Sequence, residues 1–160
     1  MALPYPRLVV SAAILDSLEH PTAMLCAARS YPAEHAGQYE LPGGKVDPGE
    51  TPEGALVREL DEELSLAIRP GAELRPPEHL AIGAPEPDPT FPRDTAPAWP
   101  AMHGYRMRVW LAEPADPHRA LRPGSAHESV RWVPLDEVEV LDWLPADLPI
   151  LTGLRALLSR

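Results

Sequence analysis

Apolar residues recur along the chain in two rhythms. Leu8 to Leu15 is an apolar run interrupted only by Ser11, and Asp16 to Pro21 closes it with turn-forming residues. The run predicts a half-buried strand and not a leader peptide, because it follows a single Arg and soon meets Asp16 and Glu19. Thr22 to Ala28 predicts a second strand, and Ser30 to Gln38 a loop. Tyr39 to Gly49 holds Pro42, Gly43, Gly44, Pro48 and Gly49, which predicts a structured loop with one short strand.

The rhythm then changes. Leu56, Leu60 and Leu64 repeat every four residues, Thr51 suits an N-cap and Pro52 suits the first turn, so Thr51 to Leu64 predicts a helix. Strands are expected at Ile68 to Leu74, His79 to Gly83, Tyr105 to Ala112 and Val130 to Val133, and a last helix at Pro149 to Leu158. Arg75 to Pro100 carries eight prolines in 26 residues, which argues against long regular structure. A plain surface loop and a specificity lid both fit that segment. The sum is an α/β chain, a mixed sheet with helices on its faces.

Composition narrows the class. A chain of 160 residues is expected to form one domain, residues 1 to 160, large enough to fold without staples. Cys26 is the only cysteine, so an internal disulfide and a cysteine metal cluster are both excluded. Its apolar surroundings suit a buried small hydrophobe. No apolar run reaches the ~18 residues of a membrane helix. A cytoplasmic protein without a membrane partner is expected. The net charge of −10 argues against a nucleic-acid polymer as partner, since phosphates need a basic face. The charge is also uneven. Gly44 to Glu63 holds seven acids against two bases.

Those acids carry the candidate chemistry. On a helix at about 100° per residue, Glu59, Glu62 and Glu63 share one face beside the leucine stripe. Like charges at this spacing destabilise a helix, and in its C-terminal half they oppose the macrodipole. A hard divalent cation would offset both effects, because Mg²⁺ favours carboxylate oxygens together with substrate phosphates. Spacing alone leaves a solvated acidic face equally open. Gly43-Gly44 lets backbone approach a ligand closely.

The run Gly44-Lys45-Val46-Asp47-Pro48-Gly49-Glu50, then seven residues, then Arg58-Glu59-Leu60-Asp61-Glu62-Glu63-Leu64-Ser65-Leu66 resembles the Nudix box, G-x5-E-x7-R-E-U-x-E-E-x-G-U with U bulky aliphatic. Ser65 is the one departure, standing where the pattern has Gly. The resemblance implies the Nudix fold, an α/β/α sandwich with a central mixed sheet and a loop-helix-loop box. It implies Mg²⁺, with Mn²⁺ as a substitute, bound by Glu59, Glu62, Glu63 and the Gly43 carbonyl. Arg58 would orient a box carboxylate and Glu50 would support the metal shell. Glu128 resembles a base found outside the box in some members, and reads equally as an exposed loop acid.

The flanks resemble MutT-like nucleoside triphosphate pyrophosphohydrolases. Tyr39-Glu40-Leu41-Pro42-Gly43-Gly44-Lys45 is similar to their W-E-L/F-P-G-G-K run, which brings in Glu40 and Lys45, and Arg29 matches a phosphate- or ribose-contacting arginine. Leu141-Asp142-Trp143-Leu144-Pro145-Ala146-Asp147-Leu148-Pro149-Ile150 is similar to their P-A-D/N-x-P-[VI] segment, whose Asp or Asn reads the base edge. Asp147 has helix capping as its plain reading, and Trp143 has core packing. The resemblance implies hydrolysis of a (d)NTP, dCTP- or CTP-like or oxidised such as 8-oxo-dGTP, to NMP and pyrophosphate, by a monomer or homodimer. Two alternatives stand beside it. One is a Nudix enzyme of ADP-ribose, nucleotide sugars or dinucleoside polyphosphates. The other is a non-catalytic nucleotide sensor.

Overall fold

The computed structural model describes residues 7–82, 96–118, 120–122 and 124–159. Its strands are β1 (Leu8–Ile14), β2 (Ala23–Arg29), β3 (Tyr39–Glu40), β4 (Gly43–Lys45), β5 (Ile68–Leu74), β6 (Trp99–Pro100), β7 (Arg106–Pro114) and β8 (His127–Pro134). Its helices are α1 (Pro52–Leu64) and α2 (Leu148–Leu158). The strands divide into two sheets. The larger is mixed, in the order β4-β1-β7-β5 with β6 also on β7. Within it β1 and β7 run parallel and the remaining pairs antiparallel. The smaller sheet, β3-β2-β8, is antiparallel throughout.

The central strands are apolar on both sides because both sides are covered. From β1, Val10, Ala12 and Ile14 enter one core with Leu56, Leu60 and Leu64 of α1. The alternate residue Ala13, with Leu15 just past the strand, enters a second core with Ile150, Leu151 and Leu154 of α2. β7 divides the same way, Trp110 toward α1 and Val109 and Leu111 toward α2. Helices therefore cover opposite faces of the mixed sheet, as the expected sandwich requires.

Helix α1 begins and ends as its sequence predicts. Thr51 Oγ1 accepts the Gly54 N–H at 3.0 Å, and Pro52 occupies the first turn. Ser65 ends the helix at φ 52°, ψ 37°, in the left-handed region. Its N–H reaches the Asp61 carbonyl at 3.0 Å, and the Leu66 N–H reaches Leu60 at 3.3 Å. A residue with a Cβ there costs ~1 kcal/mol, and the two bonds keep the cap despite the missing glycine.

Two expectations need correction, and a third falls largely outside the described residues. Tyr39 to Gly49 contains two short strands, β3 and β4, one for each sheet, because Pro42 falls between them. His79 to Gly83 is no strand over its described part. Glu78–Leu80 is a 3-10 turn, and only Ile82 bridges Ala98. Of Arg75 to Pro100, residues 83–95 lie outside the described residues. The end of that segment is anchored: Trp99 is buried in the α2-side core and its Nε1 donates to the Leu74 carbonyl at 2.8 Å.

Candidate active site

Strand β4 places the site. Its residues Gly43 to Lys45 pair with Val9 to Ser11 of β1, and α1 starts a few residues later. A Cβ on Gly43 would lie 1.8 Å from the Val10 carbonyl oxygen, so only glycine allows this pairing. A Cβ on Gly44 would lie 2.3 to 2.5 Å from the Glu59 carboxylate. The Gly-Gly strand is thus what lets an acidic helix face lie directly against backbone.

Arg58 organises the solvent side of that face. Its Nε and Nη2 grip both oxygens of Glu50 at 2.7 and 2.8 Å. Its Nη1 donates to Glu59 at 3.1 Å and to Glu62, four residues on, at 3.2 Å. Nη2 also reaches the Lys45 carbonyl at 3.2 Å, which ties β4 to α1. Glu50 in turn accepts the Asp47 N–H at 2.9 Å. The Arg58 guanidinium holds the Glu50 carboxyl down at about 2.

Glu63 faces the other way. One of its carboxylate oxygens is buried and has no hydrogen-bond partner. Burial pushes its carboxyl up to about 8, and the nearby charges of Glu59, Glu40 and Glu62 add to the shift against the opposing pull of the Gly43 N–H. Glu59 is also raised, by burial, with Arg58 opposing. Among the described residues, no three acidic, His or Cys side chains already converge into a cation cage. Arg58 draws Glu50, Glu59 and Glu62 toward itself, while Glu63 points inward. The donor set still suits a hard divalent cation. It supplies oxygens only, it includes a buried carboxylate oxygen with nothing bonded to it, and its mutual repulsion falls when a cation binds.

A second polar group adjoins the first. Arg29, at the end of β2, donates from Nη1 to both oxygens of Glu40 at 3.0 and 3.1 Å, and from Nε to the Tyr31 carbonyl at 2.9 Å. Asp147 is buried, and its Oδ2 accepts the Leu41 N–H at 3.0 Å. Burial raises its carboxyl to about 7, and the Glu40 charge adds to the shift. Asp147 makes no cap bond to α2, so the plain capping role expected for it is replaced by a tie to the Leu41 backbone. Trp143 is also buried. Its Nε1 donates to the Val138 carbonyl at 2.7 Å and its ring meets Tyr39 at 5.9 Å, which puts it in the core and not on an open stacking face.

The remaining candidates lie at the margins. Lys45 is exposed, with Nζ 5.6 Å from the Tyr105 ring. Glu128 is exposed, and its Oε1 would lie 3.5 Å from a Cβ on Gly37, an ordinary contact distance. The charges that weigh most on Glu63 are those of Glu59, Glu40 and Glu62, not Glu128. The neighbouring His127 is the residue that sequence reading passed over. It is buried opposite Arg29, its Nδ1 has no partner, and burial and Arg29 lower its pKa. Strand alternation was the available signal: with Glu128 outward, His127 must face inward.

A two-sided α/β sandwich, with an acidic helix packed behind a Gly-Gly strand, defines the class. The chain matches the NUDIX domain over residues 5–154 and belongs to the Nudix family of hydrolases. It is 37% identical over 142 residues to a Mycobacterium tuberculosis protein named putative 8-oxo-dGTP diphosphatase 2, covering 88% of this chain and 82% of that one. It is 30% identical over 140 residues to the Escherichia coli CTP pyrophosphohydrolase, covering 88% and 87%. Among solved structures, that of the E. coli ORF135 protein matches with a TM-score of 0.64 at 27% identity, over 94% of this chain and 89% of the other.

Proposed function

We propose that this protein is a divalent-cation-dependent pyrophosphohydrolase that converts a nucleoside triphosphate and water to the monophosphate and pyrophosphate. The buried, unpartnered carboxylate oxygen of Glu63, on one helix face with Glu59 and Glu62, carries the reading. Glu59, Glu62, Glu63 and the Gly43 carbonyl would hold Mg²⁺ or Mn²⁺. The cation would neutralise phosphate oxygens and assist deprotonation of the attacking water. Arg58 keeps Glu50, Glu59 and Glu62 in register before the cation arrives. Glu59 is the candidate proton acceptor, since its carboxylate lies at the Gly44 backbone and is less exposed than that of Glu62.

Asp147 reads the base. It is held by Leu41 through one oxygen, which leaves the other to meet an amino or imino edge, such as cytosine N4 or an oxidised guanine. The relatives are named for substrates of both kinds, which supports a (d)CTP-like or 8-oxo-dGTP-like substrate. The net charge of −10 supports free nucleotides over polymers. We place this activity in the cytoplasm. No helix of the described residues is long and apolar enough to cross a membrane.

The test is a panel of canonical and oxidised (d)NTPs with Mg²⁺, alongside ADP-ribose and a dinucleoside polyphosphate, with products resolved by chromatography. Monophosphate plus pyrophosphate from one or two triphosphates is expected. Turnover of the diphosphate-linked compounds alone would overturn the substrate assignment. Asp147→Asn keeps an acceptor for the Leu41 N–H, so the fold should persist while the preferred base changes. A loss that is uniform across all bases would remove Asp147 from base recognition.

A further inference from the structure

Glu63 is the penultimate residue of α1, in the turn of a helix most prone to fray. The helix's own cap does not reach it, because the Ser65 and Leu66 N–H groups return to the Asp61 and Leu60 carbonyls. The last carbonyls are held from elsewhere in the chain. The Gly124 N–H donates to the Glu63 carbonyl at 2.8 Å, and the Arg122 N–H donates to the Leu64 carbonyl at 2.9 Å. Both donors meet the negative end of the helix dipole, where Glu59, Glu62 and Glu63 already crowd like charge. A Cβ on Gly124 would lie 3.4 Å from the Glu63 carbonyl oxygen, so the backbone runs close against the helix end.

The same segment is fastened at its other end to the smaller sheet. Ser30, just past β2, donates its N–H to the Ala126 carbonyl at 3.1 Å and its hydroxyl to the Ser125 carbonyl. His127 follows as the first residue of β8. It is buried, and its N–H reaches the Gly124 carbonyl at 3.4 Å. From there β8 pairs with β2. Helix α1, by contrast, packs its leucines on β1 of the larger sheet. Gly124 to Ala126 is therefore a strap from the smaller sheet to the end of a helix that lies on the larger one. A bond to the Glu63 carbonyl fixes the backbone from which that side chain projects, and the side chain carries the buried oxygen without a partner.

We propose that Gly124, which lies outside the Nudix box, is a positioning residue for the cation: through the Glu63 carbonyl, the strap holds the last turn of α1, and with it the Glu63 carboxylate, where the cation binds. The proposal rests on the reading of Glu59, Glu62 and Glu63 as a cation site. Gly124 acts only through its backbone N–H and touches neither cation nor substrate. Coupling between two sites is reciprocal, so a strap that favours the cation is itself held more firmly once the cation is bound.

Gly124→Pro removes the donor and tests the first direction of this coupling. The readouts are Mn²⁺ affinity, from the paramagnetic resonance signal of the free ion, and steady-state kinetics against Mg²⁺ concentration. Mn²⁺ affinity should fall about tenfold, as for groups that orient metal ligands. The kcat at saturating Mg²⁺ should stay within about threefold of wild type. Leu157→Ala, in α2 on the opposite face of the mixed sheet, should lower the melting temperature and leave Mn²⁺ affinity unchanged. The reverse direction needs no variant, and it decides if Gly124→Pro fails to fold. In wild-type protein, Mg²⁺ should slow amide exchange, followed by NMR, about tenfold more at Gly124 than at Leu135. The Leu135 N–H bonds the Thr22 carbonyl, at the other end of β2 from Ser30. Unchanged Mn²⁺ affinity in Gly124→Pro, an equal loss in Leu157→Ala, or equal slowing at Gly124 and Leu135 overturns the proposal alone. Wild-type protein that binds no Mn²⁺ overturns the underlying cation reading with it.

Discussion

Two sets of carboxylates lie on either side of one short strand, and their environments push them in opposite directions. Glu50, with Glu62 beside it, meets solvent and the Arg58 guanidinium, and the Glu50 carboxyl is held at about 2. Glu63 and Asp147 face the interior with a single backbone N–H each, and their carboxyls rise to about 8 and about 7. Every member of both sets is a carboxyl group. What differs is whether a cation already compensates the charge. The Arg58 side is a finished structural network. The Glu63 side lacks such a partner, and in the proposed reading this is where the cation would bind.

The largest effect should come from removing the incomplete side. Glu63→Gln keeps shape and removes one charge from a repelling cluster. Activity should fall by about 10²-fold or more, as expected when a metal-supporting carboxylate is lost. The melting temperature of the metal-free protein should hold or rise at neutral pH. Full turnover by this variant would remove Glu63 from the metal site and erase the contrast between the two sets.

The next effect tests the wall between them. Gly44→Ala puts a methyl at the Glu59 carboxylate, the movable end of a side chain, whereas the Cβ of Gly43→Ala would meet the Val10 backbone. Gly44→Ala should therefore fold and lose about tenfold or more in activity, in line with a small misplacement of a catalytic group. Gly43→Ala should fail to accumulate as folded protein. Equal folding and equal activity in the two variants would show that β4 does not set the position of Glu59.

The smallest effect, and the sharpest for the comparison, is on pH dependence. Glu63 is raised from its ordinary 4.5, so its stabilising contribution is complete below that value and is lost as pH rises through about 8. Glu50 is lowered from 4.5, so its contribution is present above that value and is lost as pH falls through about 2. In chelator, melting temperature should decline from about pH 5 to pH 9, and Glu63→Gln should flatten that decline. Asp147 adds a decline of the same sign through about 7. Glu50→Gln should instead weaken only the acid-side dependence. A wild-type melting temperature that is flat from pH 5 to 9 would mean that Glu63 is not held in an uncompensated site.

Much of this was legible from residue order. The α1 helix, its Thr51 cap and its leucine stripe follow from local propensity and a repeat of four, and local rules hold wherever neighbours in sequence are neighbours in space. That Glu59, Glu62, Glu63, Arg58 and Glu50 lie together was legible for the same reason, since one helix and its entry loop carry them all. Strand content was also visible in β1, β2 and β7, whose apolar runs are long.

What residue order could not decide is every contact made across the fold. That Glu50 is gripped by Arg58 while one Glu63 oxygen is left without a partner depends on which side of α1 the Gly43-Gly44 strand covers. The tie between Asp147 and Leu41 spans 106 residues, so no local rule could choose it over a helix cap. The Arg29–Glu40 pair exists because β2 and β3 are neighbours in the smaller sheet. His127 is buried opposite Arg29 through strand alternation and the β2–β8 register. Sequence by itself determined the local elements and the chemical inventory of the site. Tertiary structure alone decided which of those charges are compensated, because burial and pairing are properties of surroundings that distant segments supply.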